Sequence, residues 1–121
     1  MDAAAAIAAA DPPHLEQGDI LESVPDLVAR APRGARVVVY HSSVVMYLDA
    51  ERRAAFAELM RSLEDVTWVS NEGSDVPPEI TTKAGVDVGG RNILAVNGEP
   101  LALAGTHGQS YEALPGAVLG A

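Results

Sequence analysis

No cysteine occurs in these 121 residues, which excludes disulfides, thiolate catalysis and thiolate metal sites. Aromatic residues make up only 4%, so Ala, Val and Leu must supply most of the packing volume. Basic residues are also few: Lys+Arg 8 stand against Asp+Glu 17, a formal net charge of -9. A surface that acidic repels phosphate backbones, which argues against nucleic acid and anionic membranes as partners. Long hydrophobic runs are missing. The Ala-rich start, Asp2 to Ala10, has no basic segment ahead of it and is too short to span a bilayer. There is no internal repeat, and no glycine-rich phosphate-binding loop. These absences place the chain in the cytoplasm by expectation.

What is present suits one globular domain over residues 1–121. Hydrophobic residues are 48% and charged residues 21%, enough to build a core. Alanine loses least on entering a helix, so Asp2 to Ala10 reads as one, capped by Asp2 and stopped by Pro12-Pro13. His14 to Glu16 reads as a short extended piece running into Gly18-Asp19. Ser23 and Asp26 have capping-box spacing, which predicts a helix from Ser23 with Leu27, Val28 and Ala31 on its apolar face. Arg36 to Tyr40 contains Val37-Val38-Val39, a β-branched run expected of a strand covered on both faces.

Asp49 caps the clearest helix, Ala50 to Leu63, in which Ala55, Phe56, Leu59, Met60 and Leu63 recur at three- and four-residue steps. Val66 to Ser70 is the next predicted strand. Glu72 to Gly90 is Gly/Pro-rich without a sustained period and reads as a long loop. Asn97-Gly98 predicts a type I′ turn joining Asn92 to Val96 with Glu99 to Ala104, with Pro100 at a strand start or free edge. The tail is weakly patterned, and partial disorder is expected from about residue 115. The expected fold is α/β: a mostly parallel, Rossmann-like sheet ending in an antiparallel hairpin.

Ligands in open α/β sheets bind beyond the carboxyl ends of the strands. Those ends carry Asp19, His41-Ser42-Ser43 and Asn71-Glu72. His41 is the candidate catalytic residue, able to orient a substrate or act as a base near neutral pH; a structural role bonding backbone is the alternative. Ser42 and Ser43 fit helix caps better than nucleophiles, because no Gly-x-Ser-x-Gly elbow surrounds them. His107 lies between glycines and could reach the same rim. His14, His41 and His107 lack ligand spacing, so no metal is expected.

Gly18-Asp19, Val38-Val39-Tyr40-His41, Tyr47-Leu48, Trp68-Val69-Ser70-Asn71-Glu72, Asn97-Gly98 and His107-Gly108 together resemble the C-terminal part of an uncharacterised bacterial family, common in actinobacteria. The same order resembles the second half of a class I S-adenosylmethionine-dependent methyltransferase fold. That resemblance implies a cofactor, S-adenosylmethionine, with Asp19 at its adenine. It also implies that His41, Ser42, Ser43, Asn71, Glu72 and His107 line the acceptor pocket. The first strand and its glycine-rich turn are absent, as is the acidic residue that would hold the ribose, so the sheet is expected to be N-terminally truncated and not competent alone. The strand Arg36 to Tyr40 would then present an unpaired edge, and a homodimer through it is expected. The alternatives are a non-enzymatic assembly module and, ranked last, a small serine hydrolase.

Overall fold

Two carboxylates start the first two helices of the computed structural model, which describes residues 2–117. Asp2 accepts the Ala5 N–H at 2.8 Å and begins α1 (Ala3–Ala10), a helix that buries none of its residues. Asp19 accepts the Leu21 N–H at 2.8 Å and begins α2 (Ile20–Ala29). The expected start at Ser23 is therefore one turn too late. Asp19 and Glu22 have the same cap spacing as Ser23 and Asp26, and burial decides between them: Ile20, Leu21 and Val24 pack against the core, with Pro25 held inside the helix. Gly18 lies close under this helix, where an added Cβ would make the Ser23 hydroxyl turn away. His14 to Glu16 forms no strand. Its Glu16 accepts a 2.7 Å bond from Arg30 at the end of α2.

The remaining elements are β1 (Val37–Ser42), a single 3-10 turn (Val45–Tyr47), α3 (Ala50–Ser62), β2 (Val66–Glu72), α4 (Pro78–Ala84), β3 (Asn92–Val96), β4 (Glu99–Ala104) and β5 (Tyr111–Ala113). They form one five-stranded sheet in the order β1-β2-β3-β4-β5. Only β1 and β2 run parallel, joined across α3; β2–β3, β3–β4 and β4–β5 are antiparallel. The expected mostly parallel, Rossmann-like sheet is thus corrected to a mixed, mostly antiparallel one. Parallel neighbours need a crossover connection, and after β2 each connection instead reverses the chain.

The expected loop from Glu72 to Gly90 also needs correction, because it contains α4. Pro78 opens that helix where its missing N–H costs nothing, and Gly85 closes it in a left-handed conformation at φ 63. Burial of Val76, Ile80 and Val88 supplies what its weak helical propensity lacks. The Asn97-Gly98 hairpin forms as expected. Asn97 also fastens it to β2, accepting the Trp68 N–H at 2.8 Å and donating to Trp68 O at 2.7 Å. Pro100 lies opposite Ala95, beside the β3–β4 irregularity between Leu94 and Ala95. β5, in the tail expected to lack pattern, pairs with β4. Residues 118–121 of that tail lie outside the described residues.

Burial alternates along β2, and the two sheet faces differ accordingly. Trp68, Ile93, Ala95 and Leu103 on one face join Phe56, Ala57 and Met60 of α3, Ile80 of α4 and the apolar side of α2 in a single core. The opposite face carries Val38, Tyr40, Val69, Leu94 and Val96, which share its registers, and none of these five belongs to the core cluster. β1, an end strand of the sheet, leaves Val38 52% and Tyr40 60% exposed.

Phe56 is 3% exposed, so Phe56→Ala should cost about 3–5 kcal/mol. Ile7 is 69% exposed, so Ile7→Ala should stay within about 0.5 kcal/mol. Urea unfolding followed by Trp68 fluorescence measures both, and equal losses would contradict this placement of the core.

Candidate functional site

The carboxyl ends of β1 and β2 meet at Glu72, whose side chain is 1% exposed. A carboxylate cannot stay so deeply buried without donors, and its position in β2 brings it two. His41, near the end of β1, donates from Nδ1 to Oε2 at 2.6 Å, and the Val44 N–H reaches Oε1 and Oε2 at 3.1 and 3.2 Å. On the other side of the imidazole, Trp68 Nε1–H donates to His41 Nε2 at 2.8 Å. An indole N–H can only donate, so Nε2 accepts and the ring proton sits on Nδ1. Phe56 meets the imidazole edge-on at a centroid distance of 5.1 Å.

A second set of bonds holds the turn after β1. Ser43 adopts φ 52, uncommon for a residue with a side chain. Its N–H donates to Asn71 O at 3.0 Å, and its Oγ accepts from Asn92 Nδ2 at 3.1 Å. Asn92, itself buried, also donates to Asn71 O at 3.3 Å. Ser42 Oγ accepts from Asn71 Nδ2 at 3.1 Å. The structure therefore brings His41, Ser42, Ser43, Asn71 and Glu72 to one end of the sheet in two sets of bonds, His41 with Glu72, and Ser42 and Ser43 with Asn71. The helix that Ser42 and Ser43 are expected to cap does not form at Val44; the chain makes the Val45–Tyr47 turn, with no side-chain cap, and its Met46 carbonyl accepts from Arg53 at 2.6 Å.

The other residues lie outside this network. Asp19 accepts from Leu21 N–H through one oxygen and pairs with Arg52 through the other. His107 is exposed on the turn between β4 and β5, its N–H bonded to Gln109 Oε1 at 2.9 Å. His14 lies in the exposed segment before α2, near Glu16 at 3.7 Å. Among the described residues no group of three His, Cys, Asp or Glu could hold a metal ion, and no helix is long and apolar enough to cross a membrane. Trp68 and Asn92 belong to the network and escape sequence reasoning. Trp68 reads as core, which it also is. Asn92 shows no signal beyond its place at the start of a strand.

Residues 1–112 match a family described as "Uncharacterized protein conserved in bacteria (DUF2332)". The chain belongs to that family. No curated protein and no solved structure matches it.

A general base needs a ring nitrogen within reach of its substrate, and both nitrogens of His41 already hold partners. Neither Ser42 nor Ser43 hydrogen-bonds His41; their hydroxyls bond Asn71 and Asn92 instead. The network instead locks the two parallel strands and the turn between them. His41→Ala and Glu72→Ala should each cost about 3 kcal/mol, since either leaves a buried partner unpaired. Urea unfolding of the double variant should show a cost well below the sum. Additive losses would mean that the pair is not coupled.

Proposed function

We propose that this chain is an assembly module, one part of an α/β sheet that is completed by another polypeptide surface. The observation that carries this reading is β1. It is an end strand, apolar on both faces, and it has neither the charge nor the proline that protects a free edge. A continuous β-branched run is the composition of a strand inside a sheet. Here it stands at the margin of the sheet, with Val38 and Tyr40 exposed.

Open grooves follow the same margin. One, of about 410 Å³, is lined by Ile20, Val24, Tyr40 and His41 among others, and the next, of about 310 Å³, by Val24, Leu27 and Val37 to Tyr40. Both draw lining from α2 and from consecutive residues of β1, Val39 to Ser42 in the first and Val37 to Tyr40 in the second, so they follow the strand at the sheet margin.

S-adenosylmethionine, which the methyltransferase resemblance implies, does not fit the residues present. The Asp19 oxygens hold the α2 cap and Arg52, and the rim polar groups bond one another. Methyl-transfer chemistry, if the family performs it, belongs to the completed assembly and not to this chain alone. Calorimetric titration with S-adenosylmethionine should show no saturable binding at millimolar ligand. Saturable binding that Asp19→Ala abolishes would overturn this part of the reading.

The assembly reading itself is tested with Val38→Lys/Tyr40→Lys, which changes only exposed side chains. The wild-type chain should bind a hydrophobic dye or self-associate, and the double variant should lose that property while keeping the wild-type circular dichroism. A wild-type chain that does neither overturns the reading.

A further inference from the structure

The geometry points to a second copy of this chain as the occupant of the β1 edge, joined about a two-fold axis so that the two β1 strands pair antiparallel. This rests on the assembly reading and adds the partner's identity and the register of the contact. Among the described residues, the exposed large apolar side chains include Leu27 on α2, Val38 and Tyr40 on β1, and Val44, Met46 and Tyr47 just after it. Ile7, Leu15, Val86 and Tyr111 lie elsewhere in the chain. A concentration of this kind marks an interaction site.

Charge favours self-association at this place. The chain carries a net charge of -9, so most surfaces of two copies repel each other. Val37 to Leu48 contains no Asp, Glu, Lys or Arg. Two copies that meet there bring no like charges into contact. The exposed parts of the six clustered side chains amount to roughly 600 Å² per copy, at the lower end of what a specific interface buries.

Strand geometry restricts the register. Directly opposed residues of an antiparallel pair share a sheet face, so a two-fold pair must centre on a residue and not between two. Centred on Val39, Val38 of each copy stands opposite Tyr40 of the other. That places the two exposed β1 side chains in β-branched–aromatic cross-strand pairs, made twice. The result is a continuous sheet with the helices of both copies on one side.

Sedimentation equilibrium at micromolar to millimolar chain should give twice the chain mass. Tyr40→Lys should weaken the dimer roughly tenfold or more, from two lost cross-strand pairs and a lysine at each. Tyr111→Lys, at the far edge, should leave the dimer unchanged. The absence of native cysteine allows a direct check of register. Under mild oxidation, a mixture of Val38→Cys and Tyr40→Cys chains should cross-link to each other far more than either does to itself. A wild-type chain that stays at single-chain mass overturns the second-copy inference. It leaves the assembly reading standing if that chain still binds dye in a Tyr40-dependent way. A dimer indifferent to Tyr40→Lys overturns the β1 contact.

Discussion

A carboxylate buried at the carboxyl end of β2 organises this domain. Glu72 lies where solvation by water is nearly lost, and a charge in that position is retained only if donors surround it. Its partners come from the end of β1 and the turn that follows, so satisfying the carboxylate fixes how the parallel strands end together. His41, turned by that bond, presents its second nitrogen to Trp68, and Trp68 in turn holds the Asn97 turn through its own backbone. One chain of hydrogen bonds thus links the parallel pair to the antiparallel hairpin. The same bonds engage the polar groups of the rim, the natural location for a ligand in such a sheet.

The two margins of the sheet are built differently. β5 is three residues long and carries Glu112, which pairs with Arg91 at 2.8 Å. Shortness and charge are the usual means of preventing further strand addition. β1 has six residues and no charge. Its outward-facing side chains are the apolar ones that the core-facing side would also use. Protection at one margin and its absence at the other are the contrast on which the proposed pairing at β1 rests. In the proposed dimer, the acidic surface elsewhere repels while the charge-free segment Val37 to Leu48 forms the contact.

Much of the fold is legible in the sequence where local chemistry decides. Asp2, Asp49 and Asn97-Gly98 mark their elements, because caps and tight turns depend on single residues. Phe56 and Met60 recur at helical spacing and are core. The misreadings occur where tertiary burial decides. Asp19 and Ser23 offer equivalent caps, and only the packing of Ile20 and Leu21 selects the first. α4 reads as loop because Ile80 alone carries its burial among prolines and threonines. The sheet's direction after β2 depends on how that segment returns, which no spacing reveals. The polar cluster at the strand ends is visible in sequence as His41, Ser42, Ser43, Asn71 and Glu72. How its members bond is not, since that requires knowing that Trp68 reaches His41 on the core face while Asn92 reaches Ser43 at the turn after β1.

Residue-resolved amide hydrogen exchange along β1, measured over a range of chain concentration, tests the central claim most directly. Amides turned toward β2 should be protected at every concentration. The alternate, outward amides from Val37 to Ser42 should exchange rapidly in dilute solution and become protected as concentration rises, while β5 stays unchanged. Outward amides that exchange equally fast at all concentrations would contradict the account of β1 as an edge made for pairing.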